Sequence, residues 1–278
     1  MTVLRLADAG EAGDLAAFLA RLIHYDRGAA VRLQAGNGVL AVFGRPPSFE
    51  VLAIRTARLA ADGVTEGAGG GRDGGPGLDV TVSAGELLEG ISEAAGSVTV
   101  PAPVTGPPWA GVLPPRGGWT RVPGLPAPEA LLRAVSAAVA EFRARDEALP
   151  PQRRNRNERD RIGREIWSRT LGDTELPLRA VHAAQALGFL RRARAGAMAA
   201  SGSAGAASRA GAASRAGAAG GAVSGPAGVA GAEASVPTLA LLAAGGWLRL
   251  STPYGSIAVR AGGPAGLAGL SGLTVTPV

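Results

Sequence analysis

The first regular pattern of apolar positions lies near the N-terminus. Five large apolar residues follow the i, i+3, i+4, i+7, i+8 spacing that gives a helix one apolar face. They are Leu15, Phe18, Leu19, Leu22 and Ile23. This spacing predicts a helix over residues 12–25.

The pattern then changes to short strands separated by turn residues. AAVRLQA and VLAVFG flank Gly36, Asn37 and Gly38, and an Asn-Gly pair tolerates the positive φ of a tight hairpin turn. Further strands are predicted in FEVLAIRTA, LDVTV and SVTV. Ser83 precedes Glu86 at the spacing of a capping box, which predicts a short helix to about residue 94.

Residues 101–128 hold nine prolines together with Trp109 and Trp119. Because proline lacks an N–H and has a fixed φ, the part PPWAGVLPPRGGW cannot form a helix or a central strand. We predict an extended strap that holds both tryptophans on the core, since exposing large aromatic rings is costly. A pair of tryptophans facing a ligand is the alternative.

The next region is predicted to be helical. An apolar stripe from Leu131 to Phe142 follows Pro128, a residue favoured at helix starts, and predicts a helix to about residue 147. Two more helices are predicted over 157–171 and, after Pro177, to about residue 192. Near the C-terminus, GWLRLST and SIAVR flank Pro-Tyr-Gly and predict a second hairpin, and the final LTVTPV could add an edge strand. The hairpin could pack on the helices or return to the N-terminal sheet.

These elements predict an α+β fold: an N-terminal helix with a small antiparallel sheet, a Pro-rich strap, a three-helix region and a C-terminal β-hairpin. The predicted domains are an α+β domain over 1–104, with a flexible glycine-rich loop at 62–77, and a strap and helical domain over 105–194. A disordered Ala/Gly linker over 195–235 separates them from a hairpin region, 236–278, that packs on the preceding domain.

Composition excludes several kinds of chemistry. The chain has no cysteine, no lysine and two histidines, so thiolate metal sites, Schiff bases and P-loops are excluded. The string GGGRDG at 69–74 lacks the preceding strand and following helix of a dinucleotide site. His24 and His182 have only Asp26 and Glu175 as acids near them in sequence. We therefore predict no catalytic residues, no cofactor-binding residues, no metal ligands and no cofactor.

The N-terminal sequence and hydropathy predict where the protein resides. Acidic residues occupy the region where a signal peptide needs basic and then apolar residues, and no long uncharged apolar stretch occurs. We expect a cytoplasmic protein that does not contact a membrane.

The net positive charge is concentrated in one segment. Residues 152–194 hold 11 arginines and 5 acids, a net charge of +6 that equals the charge of the entire chain. Two helices and a turn with this charge could bind nucleic acid, because arginine neutralises phosphates. The candidate contacts are Arg153, Arg154, Arg156, Arg159, Arg161, Arg191 and Arg192. Neighbouring acids could instead pair with these arginines and leave a structural or protein-binding surface.

Four segments carry a resemblance to a known family: PPRGGW, EIWSRTLGD, LPLRAVHAAQALGFL and WLRLSTPYGSIAVR. In these segments the chain resembles a family of conserved actinobacterial proteins of unknown function. The resemblance covers about residues 105–193 and 246–260, with a looser N-terminal match. It implies an actinobacterial, intracellular origin and assigns no site residue.

Three functions remain open from the sequence. An uncharacterised, non-enzymatic interaction or regulatory protein is favoured, because no catalytic group of residues can be assembled. The alternatives are a nucleic-acid-associated protein that uses residues 152–194, and an enzyme of unrecognised class. The expected partners are a protein or a second copy of the chain, with nucleic acid as the alternative partner.

Overall fold

The computed structural model describes residues 2–65, 77–191 and 239–261. Apart from Arg191, these residues belong to one compact unit. The predicted linker at 195–235, the predicted edge strand LTVTPV and the GGGRDG string lie outside the described residues.

The described residues contain five α-helices. They are α1 (Ala9–Tyr25), α2 (Ala84–Glu89), α3 (Pro128–Glu147), α4 (Arg156–Trp167) and α5 (Leu178–Ala186). α1 begins earlier than its apolar stripe because the Asp8 carboxylate accepts a hydrogen bond from the Glu11 N–H, at 2.9 Å. α5 ends earlier than predicted, before Gly188, which adopts a φ of 74°.

The strands form one antiparallel sheet among the described residues. They are β1 (Thr2–Leu6), β2 (Ala30–Gly36), β3 (Val39–Gly44), β4 (Leu52–Thr65), β5 (Asp79–Ser83), β6 (Ile91–Ser92), β7 (Ser97–Val100), β8 (Thr120–Val122), β9 (Ala240–Ala244), β10 (Trp247–Thr252) and β11 (Gly255–Arg260). Their main order is β5-β2-β3-β4-β11-β10-β9-β8, with β1 between β4 and β7. The predicted α+β fold is confirmed. The turn of the β2–β3 hairpin has φ values of 51° at Asn37 and 73° at Gly38, as the Asn-Gly pair predicts.

The long strand β4 joins the two ends of the chain. Its first half pairs with β3 on one side and β11 on the other, so the C-terminal hairpin returns to the N-terminal sheet. Its second half pairs with β1, with Val3 opposite Thr65. β4 therefore extends into the first residues of the glycine-rich segment 62–77, because β1, a strand that the sequence analysis did not predict, supplies a partner.

The sheet carries a different apolar cluster on each face. The larger cluster includes the helices α1, α3, α4 and α5 and alternate strand residues such as Ala53 and Ile257. The smaller contains Leu52, Ala258 and neighbouring residues on the opposite face. Trp109 and Trp119 of the strap pack against this smaller cluster, half-buried.

Candidate functional site

One cavity among the described residues, here called the large cavity, has a volume of about 1000 Å³. It is bounded by the end of α1, a short 3₁₀ turn at Pro47–Phe49, and residues of α3, α4 and α5. The turn forms because Pro47 fixes the φ of its first residue. An open site of this size can receive a small molecule or several residues of a partner.

One wall of the large cavity is an aromatic cluster. The His182 ring stacks on Trp167 at a centroid distance of 4.3 Å and meets Phe49 edge-on at 5.0 Å. Tyr25 meets Phe49 edge-on at 5.3 Å. Burial lowers the pKa of His182 below its ordinary value of 6.5, so the imidazole is neutral at pH 7 and contributes an apolar, hydrogen-bonding surface.

Glu50 follows the 3₁₀ turn in an unusual backbone conformation. Its φ of 52° and ψ of 39° are left-handed, a region that residues other than glycine, asparagine and aspartate rarely adopt. The Glu50 side chain is exposed and lines the large cavity. Backbone strain of this kind tends to occur at functional sites, where the surrounding structure maintains it.

Most of the arginines predicted to contact nucleic acid have partners in the structure. Arg153 and Arg161 share the Glu158 carboxylate at 2.8 and 2.9 Å, and Arg159 pairs with Asp146 at 2.8 Å. A side-chain hydrogen bond from Arg153 and then one from Arg161 lower the pKa of Glu158, which keeps it ionised.

The other predicted arginines form weaker contacts or lie at the edge of the described part. Arg156, 93% exposed, is 3.7 Å from Asp160, and Arg154 donates to the carbonyl oxygens of Glu147 and Leu149. Arg191 is the last residue of the described range 77–191, and Arg192 lies outside the described residues. The structure thus brings only Arg159 and Arg161 of the predicted set to the large cavity.

A second ion-pair network connects α3 with α4 beside the large cavity. Arg145 donates two hydrogen bonds to Glu165, each 2.7 Å long, and Arg169 donates two to Glu141, at 2.6 and 2.7 Å. The Arg145 bond lowers the pKa of Glu165 to about 2. Two-point arginine–carboxylate contacts fix the orientation of both side chains; the Arg145–Glu165 pair joins α3 to α4, and the Arg169–Glu141 pair joins α3 to the segment after α4.

Two arginines that the sequence analysis did not select line the large cavity without a carboxylate partner. Within the described part of the chain, Arg164 and Arg179 form no salt bridge, whereas Arg159 and Arg161 are neutralised by acids. The Arg179 Nε–H is buried and has no hydrogen-bond acceptor among the described residues. The one sequence signal for Arg179 is its position as the only charge at the start of an apolar helix.

Two features are absent from the described residues. Their acidic and histidine side chains form no cluster that could hold a metal ion. None of the helices in the described ranges is long and apolar enough to span a membrane.

Comparison with known families covers most of the chain. A domain of unknown function, DUF8010, matches residues 1–111, and a second one, DUF8185, matches residues 114–264. No curated protein and no solved structure matches the chain. The boundary between the two matches falls within the strap, although the sheet described above contains strands from both ranges. The second match spans more than half of the chain, so the chain belongs to the DUF8185 family, a domain family of unknown function.

Proposed function

We propose that this protein acts by binding, as an interaction or regulatory protein, and that the large cavity is where an acidic segment of a protein partner docks. One observation carries the proposal: Arg164 and Arg179 line the cavity with no carboxylate partner among the described residues, beside an aromatic wall. A carboxylate of the partner would gain charge-assisted hydrogen bonds from these guanidinium groups.

The charges around the cavity favour an acidic partner. Glu165 and Asp160, which also line it, are already engaged by Arg145 and Arg156. Glu158 serves two arginines at once, so a positive excess remains on that side. Glu50 is the one lining carboxylate that has no salt bridge among the described residues. Two lining arginines, Arg164 and Arg179, have none in this part of the chain either, so the unpaired charge in the lining is positive overall.

The aromatic wall favours a partner with an apolar side chain next to its acidic group. Trp167 and His182 line the cavity as a face-to-face stack, and Tyr25 lines it with 37% of its surface exposed. Aromatic and arginine side chains dominate the binding energy of many protein interfaces. A protein partner therefore fits the composition of this cavity better than a phosphate backbone alone.

Site-directed photo-cross-linking in the native host tests this proposal. Benzoyl-phenylalanine replaces Tyr25 in the large cavity or, as a matched control, Tyr254, which is 39% exposed and outside this cavity. We expect a discrete adduct from position 25 only, and its loss when Arg164→Gln is added. An adduct of twice the chain mass would identify the partner as a second copy. The same adducts from both positions, or none from position 25, would refute the proposal.

We propose nucleic-acid binding by the basic segment as the alternative function. The observation that favours it is that neither Arg154 nor Arg156 has a close carboxylate partner among the described residues. Arg154 donates only to main-chain carbonyl oxygens and so keeps its charge, and Arg156 is almost fully exposed. Two or three such arginines would support weak, sequence-independent binding with a strong salt dependence.

Fluorescence anisotropy with a random duplex and a single strand, at about 50 and 200 mM salt, tests the alternative. Changing Arg153, Arg154 and Arg156 together to Gln should weaken binding and flatten its salt dependence. Changing Arg5, Arg27 and Arg121, which are exposed elsewhere on the protein, is the charge-matched control. Absence of binding at the lower salt concentration would rule out this function.

A further inference from the structure

A second cavity lies between the strap and the sheet. This cavity, here called the small cavity, has a volume of about 460 Å³. The beginning of β4, the strap around Trp109, and Trp247 with neighbouring residues of β11 form its walls. Its volume falls in the range of sites that enclose small organic ligands.

The walls of the small cavity are mostly apolar, and its charged groups are mostly cationic. Two indole rings, from Trp109 and Trp247, line it together with Leu52 and Val112. Three arginines line it as well: Arg45, Arg179 and Arg260. In the described part of the chain none of these arginines forms a salt bridge, and Glu50 is the one acidic residue in the lining.

Two of these arginines are held by their surroundings: Arg260 by an aromatic ring and Arg179 by partial burial. The Arg260 guanidinium lies over the Trp247 ring, 4.4 Å from its centroid. A stacked guanidinium is held by cation–π attraction, while its N–H groups point outward in the plane and stay available to an acceptor. Arg179 is half-buried and its Nε–H has no acceptor among the described residues.

A buried donor without an acceptor costs free energy, which ordinary structural positions avoid. Several arginines show the usual solution: acids of α3 and α4 pair with Arg159 and Arg161. The buried Arg55 also has two carboxylate partners, although its own Nε–H has no acceptor among the described residues. Arg179 differs because, in the described part of the chain, it has neither a carboxylate partner nor an acceptor for this N–H, which indicates that its guanidinium is available to an anionic ligand.

We infer that the small cavity binds a small organic anion, whose carboxylate or phosphate group meets Arg45, Arg179 and Arg260 and whose flat apolar body lies against the tryptophans. Charge-assisted hydrogen bonds from several guanidinium groups select the anionic group, and the indole faces select a planar body. Glu50 opposes a second anionic group on the same side and can accept a hydrogen bond from a hydroxyl or amine of the ligand.

This site is distinct from the proposed docking of a protein segment in the large cavity. The two cavities share Arg179 and Glu50, but Arg164 lines only the large cavity and Arg260 only the small one. A variant of Arg164 therefore tests only the docking of the protein segment, and a variant of Arg260 tests only the binding of the small ligand.

Titration of the full chain with anilinonaphthalene sulfonate, an aromatic anion that fluoresces when bound in an apolar site, tests the inference. We expect saturable binding at one site. Displacement by phenyl phosphate and by benzoate should exceed displacement by the neutral analogue phenol, because only the anions engage the arginines. If phenyl phosphate displaces the dye better than benzoate, the site prefers a phosphate group; if benzoate is better, it prefers a carboxylate.

Variants assign the binding to the small cavity. Arg260→Gln should weaken it about tenfold or more, the effect of losing charge-assisted hydrogen bonds, whereas Arg260→Lys should weaken it less. Val112→Asp places a negative charge at the rim, on a residue that is 49% exposed, and should repel the anion without disturbing the core. Arg121→Gln, outside the cavity, is the control. Equal displacement by phenol, no saturable binding, or unchanged binding in both Arg260→Gln and Val112→Asp would overturn the inference.

Discussion

At the residue scale, Glu50 combines an unfavourable backbone conformation with a position that lines both cavities. A left-handed conformation costs about 1 kcal/mol or more for a residue with a Cβ, and glycine avoids this cost. Glu50→Gly should therefore raise the free energy of unfolding by about 1 kcal/mol and strengthen the binding of anions, because a repelling carboxylate is lost.

Urea denaturation and the dye titration measure the two effects. Glu50→Gln is the control: it removes the charge but keeps the Cβ, so it should strengthen anion binding without stabilising the fold. A Glu50→Gly protein that is less stable than the parent would show that the side chain, and not the backbone, determines the energetics of this turn.

A second residue, Arg55 on β4, lies in a buried ion-pair network that holds α1 on the sheet. Arg55 is 6% exposed and donates to Glu11 at 3.2 Å, to Asp14 at 3.1 Å and to the Tyr254 carbonyl oxygen at 2.8 Å. It thereby connects the first helix to the turn of the C-terminal hairpin. The sequence analysis did not identify it, since its partners are about 40 and 200 residues away in sequence.

Replacing Arg55 should destabilise the protein strongly. Arg55→Met should lower the free energy of unfolding by about 3 kcal/mol, because it removes a buried cation that binds Glu11, Asp14 and the Tyr254 carbonyl oxygen at once. Arg58→Met, which removes a 68% exposed arginine from the same network, should cost less than about 1 kcal/mol. Urea denaturation of both variants measures the difference, and equal losses would mean that burial does not govern this network.

At the element scale, the sequence predicted the helices and hairpins better than the contacts between them. The Asn-Gly turn, the Pro128 start and the Ser83 cap are local signals, and each element that they predict is present. Four strands were not predicted: β1, β6, β8 and β9. α2 ends at Glu89 and not near residue 94, and β6 follows it; β8 lies in the strap, and β9, ALLAA, resembles the Ala-rich sequence that precedes it. None of the four has a strong pattern of its own, and pairing with other strands determines them.

The acids that neutralise the basic segment could be predicted only in part. The spacing of charges within α4 predicts pairing there, which occurs for Glu158 and Asp160. No spacing within one helix predicts that Glu141 and Asp146 of α3 pair with Arg169 and Arg159, since this depends on how two helices pack. How much positive charge of the basic segment remains available to a partner thus depends on the packing of α3 against α4. Local sequence patterns do not specify this packing.

The α3–α4 network predicts how stability depends on pH. Arg145 lowers the pKa of Glu165 from 4.5 to about 2, and Arg169 and then Arg145 lower that of Glu141. A carboxylate whose pKa is lower in the folded state stabilises the fold above its unfolded pKa and loses this contribution as the pH falls. Stability should therefore decline between about pH 4.5 and pH 2.

Glu165→Gln should make this decline shallower, because the variant has no proton to bind at that position. Urea midpoints measured between pH 7 and pH 2 report the slope. Glu89→Gln, an exposed carboxylate on α2 without an ion pair among the described residues, is the control and should leave the slope unchanged. An unaltered slope in Glu165→Gln would mean that the Arg145 contact does not persist in solution.

At the scale of the whole molecule, strand pairing between residues far apart in sequence builds the small cavity. β11 pairs with β4 about 200 residues away in sequence, and this places Arg260 and Trp247 beside Arg45 and Trp109. The sequence left the position of the hairpin open, because an amphipathic hairpin can pack on helices or on a sheet edge. The residues of the small cavity therefore could not be grouped from sequence, although Trp109 was a candidate in the alternative interpretation of the strap.

The shared residue Arg179 makes the two cavities dependent on each other. An anion that neutralises Arg179 from the small cavity would weaken the attraction of an acidic partner to the large one. Such coupling must be reciprocal, because it is a difference in binding free energy between the two sites. A small anionic ligand could in this way regulate the interaction that we propose for the protein.

The most direct test of the account is the effect of Arg179→Gln on both binding readouts, measured beside Arg164→Gln and Arg260→Gln. We predict that Arg179→Gln weakens both the cross-link from position 25 and the binding of the aromatic anion. Arg164→Gln should weaken only the cross-link, and Arg260→Gln only the anion. A folded Arg179→Gln protein that keeps both the cross-link and the anion binding at the level of the parent would contradict the claim that this arginine serves both sites.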